Sequence, residues 1–420
     1  MKIAFVAQPM DSILPPYQNS IGIFIYEIIK RLPKSYRIKV YAKDGKKYKY
    51  INKRPELNFK CINLWMDNLI LRFLGRMLRP FCSKTGNDFF YSSVYYIGYI
   101  LQIALDLRKN KIDVAHVFNF SQFVPVIRFF NPKIKIVLHM HCEWLTQLDY
   151  SLIKKRIQYA DLIIGCSDYL TYKIMDKFPE ASEKCGTIFN GVNINEFYIK
   201  NTQFEPEYKE IKKILFVGRI SPEKGLHYLL DAFKKVANDI SDIQLQIIGT
   251  KSQLPLSYIL KLSENTKINE LKKYYNGSLN NSYYLYLKQK IATLKLDKNV
   301  RFEGFVPYAQ IVDYYKKATI LVNPSLSESF GRSLIEAMSC GIPVIASRVG
   351  GMTEIIDSGT TGFLVDPGDI SALSNAILMV LGNKIMRKKI AEEGRIKVTN
   401  LFTWEKCAGN LTSLYEAYCL

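Results

Sequence analysis

Glu328 and Glu336 stand eight residues apart in NPSLSESFGRSLIEAMSCGIPVIAS, the first in a turn-forming run, the second two turns along the helix that follows. A carboxylate accepts strong, directional hydrogen bonds from hydroxyl groups. Between the two acids, Ser329, Phe330 and Gly331 form a step into the helix, and Gly341-Ile342-Pro343 ends it at the apolar strand PVIAS. Strand, polar loop, helix and strand in that order offer free N–H groups and the positive end of a helix dipole to an anion. Two hydroxyl acceptors beside an anion site suit a phosphorylated, polyhydroxylated ligand. The E-x7-E spacing alone is common on solvated helices, so the signal lies in the whole block.

A second constellation lies in KKILFVGRISPEKGLHYLLDAF, residues 212–233. It reads as an apolar strand, a glycine turn and an amphipathic helix, with Ser221 as N-cap and Pro222 at the first helical position. Arg219 and Lys224 flank that turn. A planar fork and a point charge at a helix start make a diphosphate clamp; two solvated charges beside a loop are the alternative.

Together these blocks, continued by GG-x-x-E-I-I and G-x-x-G-F-L-V, resemble the retaining nucleotide-sugar glycosyltransferases of family 4 (glycosyl transferases group 1). The resemblance implies an α/β protein of the GT-B fold, two Rossmann-like doubly wound parallel-sheet domains facing a cleft. It places Arg219 and Lys224 on the family's phosphate-contacting positions. It gives Glu328 the hydroxyls of the donor sugar, helped by the N–H groups of Ser329, Phe330 and Gly331, and gives Glu336 the ribose. Phe305 and Val306, after the strand VRFEGFV, correspond to the base-contacting strand end. A histidine at the end of IKIVLHMH reaches the transferred sugar in similar enzymes, with His141 the first choice and His139 the second. Gly22 matches the glycine-rich loop that approaches the donor phosphate, although the loop from Gln8 to Ile21 is long and relatives often show two glycines. Gly22 as a plain turn residue stays open beside that reading.

The elements that must position these residues alternate strand and helix along the chain, which means parallel sheets wrapped by helices with ligands at the carboxyl ends of strands. KIAFVAQP, RIKVYA, IDVAHVF, KIKIVLHMH, ADLIIGCS and KCGTIFNGV read as strands of a first domain, residues 1–197. LFVGR, IQLQIIGT, VRFEGFV, TILVNPS, PVIAS and TGFLVDP read as those of a second, residues 210–402. A length of 420 residues suits two domains of ordinary size. The polar stretch from Asn195 to Lys212 is the expected linker, and a helix over 403–420 is expected to pack back on the first domain. The segment 252–290, rich in Tyr, Asn and Lys, reads as a disordered surface insertion, although within it NGSLNNSYYLYLKQK starts as loop and ends with a helical pattern.

No D-x-D occurs in the chain, so no metal and no cofactor is expected beyond the nucleotide sugar as co-substrate. Fixed cations and N–H dipoles would then neutralise the leaving diphosphate. The resemblance implies a retaining, same-face transfer in which a phosphate oxygen takes the acceptor proton. The activity expected is transfer of a hexose or N-acetylhexosamine to a hydroxyl of a glycan or lipid-linked acceptor, in cell-envelope polysaccharide or glycolipid synthesis. A nucleotide-sugar epimerase or a non-catalytic sugar-nucleotide-binding scaffold on the same fold are the alternatives. No G-x-G-x-x-G occurs, which argues against a dinucleotide-dependent dehydrogenase.

Net charge is +20, and residues 30–84 hold sixteen Lys and Arg against three acids, a local +13. Within them LWMDNLILRFLGRMLRP sets Asn68, Arg72, Arg76 and Arg79 on one helical face, with Trp65 and leucines over the rest. A basic amphipathic helix with a tryptophan suits an anionic membrane surface; a core helix with a solvated basic stripe is the alternative. No nucleic-acid motif accompanies the charge, so no nucleic-acid partner is expected. Eight scattered cysteines without a C-x-x-C pair, no leader and no spanning run point to a cytoplasmic chain, peripheral on the inner face of the plasma membrane.

Overall fold

The computed structural model describes residues 1–43, 58–73, 89–198, 211–252, 266–275 and 282–419. The chain divides into two units, Met1–Phe189 with Cys407–Leu420, and Asn190–Lys406. In the first, seven parallel strands take the order β3-β2-β1-β4-β5-β6-β7. They are β1 Lys2–Val6, β2 Arg37–Lys43, β3 Phe59–Ile62, β4 Val114–Phe118, β5 Lys135–Met140, β6 Leu162–Gly165 and β7 Cys185–Thr187. The central strands read as unbroken buried runs, VAHVF in β4 and LIIG in β6, because helices cover both faces of a parallel sheet.

The second unit has six parallel strands in the order β10-β9-β8-β11-β12-β13. These are β8 Lys212–Val217, β9 Ile243–Ile248, β10 Val300–Gly304, β11 Ile320–Asn323, β12 Val344–Ser347 and β13 Phe363–Val365. In both sheets the strand order reverses beside the first strand, between β1 and β4 and between β8 and β11. Loops leaving the two strands on either side of such a point diverge and open a crevice at their carboxyl ends.

The unit boundary falls earlier than the expected 197, for a packing reason. Phe197 is buried against Tyr308 and Tyr315, its carbonyl accepts from Ser339 Oγ at 2.9 Å, and Val192 bridges to Thr403. Residues 190–198 are thus built into the second unit; 199–210, the rest of the expected linker, lie outside the described residues. The last helix, Trp404–Cys419, belongs to the first unit from Cys407 on. There Leu414 lies against Gly186, and the Tyr418 hydroxyl donates to the Glu183 carbonyl at 3.0 Å.

The expectation for 252–290 needs correction where the segment is described. Helix Ser282–Thr293 packs on helix Leu226–Asp239 and on turn Glu270–Tyr275, which carries turn Thr266–Asn269 beside it and sets Tyr274 against His227. Ile268, Leu271, Tyr274, Tyr283, Leu287 and Ile291 are buried in the same core as strands β8 and β9. The helical end of NGSLNNSYYLYLKQK falls in helix Ser282–Thr293, while polar composition hid the buried Ile268, Leu271 and Tyr274 of the preceding turns.

Residues 65–73 are helical, while 74–80 of the expected amphipathic helix lie outside the described residues. Trp65 (68% exposed), Met66, Leu69 and Phe73 (65%) face outward. The buried residue is Asp67, whose carboxylate accepts from the Gly98 N–H at 2.8 Å. The helix is therefore pinned by its acid and presents its apolar side chains to solvent.

Candidate active site

The loops leaving β8 and β11 make the site. After β8 the chain passes Gly218 and Arg219 into the short turn Pro222–Lys224, then into helix Leu226–Asp239 through Gly225. Gly225 has φ +69°, and a Cβ there would lie 2.0 Å from the Pro324 carbonyl oxygen. Only glycine allows this contact between the two loops. The Leu326 N–H closes it by donating to the Glu223 carbonyl at 2.8 Å. Lys224 and Glu328 are thereby held side by side, Nζ to Oε2 2.5 Å, with side chains 14% and 21% exposed.

Arg219 lies on the same loop. Its Nη2 is 3.2 Å from Glu223 Oε1, which also accepts from Ser221 Oγ at 2.6 Å. Glu223 is buried, and its Oε2 has no hydrogen-bond partner among the described residues. Beyond Glu328 the chain runs through Ser329 and the buried Phe330 to Gly331, which opens helix Arg332–Ser339. No N-cap side-chain hydrogen bond closes the start of that helix, where the helix dipole presents its positive end. The loop is braced from below by Gly351, whose N–H donates to the Glu328 carbonyl at 3.2 Å.

Glu336 has a different setting. It is buried, with Oε1 2.7 Å from Arg332 Nε and Oε2 accepting from the Tyr315 hydroxyl at 2.8 Å. Burial, then the Glu336 charge and hydrogen bond, hold the Tyr315 phenol far above its ordinary range. Both Glu336 oxygens are thus occupied by the protein itself in this state. Phe305 and Val306 follow Gly304 (φ +73°) at the end of β10, and Phe305 is 44% exposed.

In the first unit, Gly22 is inside the first turn of helix Ser20–Ile29 rather than in the loop before it. Its N–H donates to the Asn19 side chain at 2.8 Å, and a Cβ would fall 1.9 Å from the Ser12 carbonyl oxygen. Glycine is required here by close approach. Asn19 is itself held by Asp11, whose carboxyl burial pushes up to about 7.

His141 follows β5, and its N–H donates to the Asn119 side chain at 2.6 Å, at the end of neighbouring β4. It is half-buried. His139 is fully buried, its Nδ1 3.1 Å from His116 Nε2, and His116 Nδ1 is 2.6 Å from the Tyr415 hydroxyl. Burial drives both rings well below the ordinary histidine range, His116 to about 3, so they are neutral. Of the two histidines named from the sequence, His141 is the one at the strand-end surface. Asn119, His116, Glu223 and Tyr315 were missed by the sequence reading. The strand-end position of Asn119 and the placement of Glu223 between two cations were the available signals.

Two Rossmann-like parallel sheets, with paired charges at the switch point of the second, define a GT-B glycosyltransferase. The pattern described as Glycosyltransferase Family 4 matches residues 21–196, and that described as Glycosyl transferases group 1 matches 199–397. The chain belongs to glycosyltransferase family 4. It is 27% identical over 418 residues to the lipopolysaccharide 1,2-N-acetylglucosaminetransferase of Salmonella typhimurium, covering 97% of this chain and 96% of that one. It is 25% identical over 329 residues to the putative glycosyltransferase YtcC of Bacillus subtilis, 75% of each chain. The crystal structure of Anabaena Alr3699/HepE in complex with UDP and glucose superposes over 99% of this chain and 100% of that one, with TM-score 0.72 at 19% identity. No helix among the described residues is long and apolar enough to cross a membrane.

Proposed function

We propose that this glycosyltransferase is a retaining hexosyl- or N-acetylhexosaminyltransferase that uses a nucleotide-diphosphate sugar and needs no metal. The acceptor is a hydroxyl of a glycan or lipid-linked glycan of the cell envelope. The observation that carries the reading is the Lys224–Glu328 pair at the β8/β11 switch point, with Arg219 on the same loop. Relatives add to it: the Salmonella enzyme is named for N-acetylglucosamine transfer to lipopolysaccharide, and the Anabaena structure holds UDP and glucose.

In this reading Lys224 and Arg219 meet the diphosphate, and the N–H groups opening helix Arg332–Ser339 add fixed dipoles. The diphosphate competes with Glu328 for Lys224, and Glu328, with the N–H groups of Ser329, Phe330 and Gly331, turns to the hydroxyls of the sugar. Phe305 and Val306 flank the base, Glu336 is assigned the ribose, Gly22 lets the first loop approach the phosphate, and His141 reaches the transferred sugar. The acceptor oxygen forms its bond to the anomeric carbon on the face from which the phosphate oxygen departs. That phosphate oxygen takes the acceptor proton, and nucleoside diphosphate leaves.

The exposed face of Trp65, Met66, Leu69 and Phe73, in a region of local +13, favours a peripheral seat on an anionic, cytoplasmic membrane surface. Apolar side chains held outward by a buried acid are costly to leave in water and useful at an interface. A donor screen tests the reading. Purified protein is incubated with UDP-, GDP-, ADP- and dTDP-sugars, and thermal stabilisation and slow hydrolysis are followed. One nucleotide class should stabilise and turn over. Binding without turnover would favour the sugar-nucleotide-binding scaffold, and absence of binding to all four would remove the donor reading altogether.

A further inference from the structure

The segment 252–290 delivers one side chain to the donor loop. Turn Glu270–Tyr275 packs directly on turn Pro222–Lys224, the turn that carries the site's lysine. It is held there by Leu271 and Tyr274, both buried, with the Tyr274 ring against His227 and Tyr283. Tyr283 is in turn fixed by a 2.8 Å hydrogen bond between its hydroxyl and His227 Nδ1. The last residue of the turn, Tyr275, is thus placed by a packed aromatic cluster.

The Tyr275 hydroxyl is shielded from solvent and has no hydrogen-bond partner among the described residues. In the turn against which Glu270–Tyr275 packs, the buried oxygen Glu223 Oε2 has none either. Burial and then the Glu223 charge raise the Tyr275 phenol above its ordinary range, with Arg219 opposing. The protein therefore keeps an unmet O–H donor and an unmet carboxylate acceptor beside its diphosphate clamp. Each is costly when buried unsatisfied. Such a pair is completed by a ligand group that both accepts and donates, which is what a hydroxyl does.

We infer that Tyr275 is a donor-specificity residue, its O–H bonding a hydroxyl-bearing part of the nucleotide sugar, with Glu223 Oε2 as the matching acceptor. The inference rests on the nucleotide-sugar reading above and adds a residue from the segment 252–290 to it. A site built to hydrogen-bond a hydroxyl rejects analogues lacking it, because its buried polar groups then stay unpaired.

The test measures dissociation constants of the nucleoside diphosphate and the nucleotide sugar for wild type and Tyr275→Phe, with melting temperatures of both proteins without ligand. The phenylalanine variant should bind the nucleotide sugar about tenfold more weakly, with an unchanged or higher ligand-free melting temperature. If the nucleoside diphosphate weakens equally, the hydroxyl recognised is on the ribose; if only the nucleotide sugar weakens, it is on the transferred sugar. Both results support the inference. Unchanged affinity overturns it and leaves the donor reading standing; unchanged affinity with a lowered melting temperature assigns Tyr275 to an ordered water and overturns it too. A wild type that binds no nucleotide overturns the donor reading and this inference together.

Discussion

Lys224 and Glu328 are 104 residues apart in the chain and 2.5 Å apart in space. Their meeting is a consequence of topology: each follows a strand on one side of the β8/β11 switch point, and Gly225 lets the two loops touch. Neither carboxylate nor ammonium is deeply buried, so the pair can be exchanged for a ligand at modest cost. Glu336, eight residues on, is the contrast: buried and closed off by Arg332 and Tyr315.

Gly225→Ala should fail by collision. The new Cβ meets a backbone oxygen at 2.0 Å, at φ +69°. The expected cost exceeds about 2 kcal/mol, against about 1 kcal/mol for Gly359→Ala, where φ is +88° but nothing lies within 4 Å. Chemical denaturation of the two variants checks this; equal losses would show that backbone strain alone decides.

Replacing the buried Glu336 by Ala leaves the partly buried Arg332 and the buried Tyr315 hydroxyl without their partner and should destabilise by about 3 kcal/mol. Glu336→Gln keeps the shape and isolates function. A ribose contact predicts weaker nucleoside diphosphate binding in the glutamine variant at unchanged oligomeric and secondary structure. Unchanged nucleotide affinity would make Glu336 a structural residue.

Stability should fall on acidification from about pH 6.5. His116, His139 and His227 are buried neutral with ring pKa values below the ordinary 6.5, His116 and His227 near 3. Below 6.5 the unfolded chain binds protons that the folded rings refuse, so each costs up to about 1.4 kcal/mol per pH unit. Asp11 acts oppositely, since its raised carboxyl pKa favours the fold as pH falls from about 7 toward 3.8. Asp67, whose carboxyl burial also raises, acts in the same direction as Asp11; three groups against these two leave a net loss. Melting temperature measured from pH 7.5 to 4.5 should drop, and less steeply in His116→Phe; a flat profile would contradict the neutral assignment.

Trp65→Ser with Phe73→Ser should leave the melting temperature nearly unchanged, because both side chains are mainly exposed. Binding to phosphatidylcholine vesicles containing phosphatidylglycerol should weaken by about 1–2 kcal/mol per residue removed from the interface. Cosedimentation checks this. Equal retention of wild type and variant on these vesicles would remove the apolar face from the membrane reading.

The sequence carried the strands well, since buried parallel strands are unbroken β-branched runs such as KIVLHM and LIIG. It carried the loops of the site as well, because Gly, Pro and charge types mark strand-to-helix turns. What it hid depends on three-dimensional neighbours. The packing of 266–275 rests on Ile268, Leu271 and Tyr274 in polar turns, which composition reads as loop, and the core position of the helix over 282–293 rests on the neighbours it meets. Tyr315 claiming Glu336 joins residues 21 apart, a separation that gives no sequence signal.

The central claim is that Lys224 holds the diphosphate while Glu328 holds the sugar. The most direct measurement compares Lys224→Met and Glu328→Gln, reading nucleoside diphosphate affinity and transfer rate on the donor found in the screen. The account expects Lys224→Met to lose at least about tenfold in nucleoside diphosphate affinity. Glu328→Gln should keep that affinity while its transfer rate falls about a hundredfold. A glutamine variant with wild-type transfer, or a methionine variant that binds the diphosphate as tightly as wild type, would contradict it.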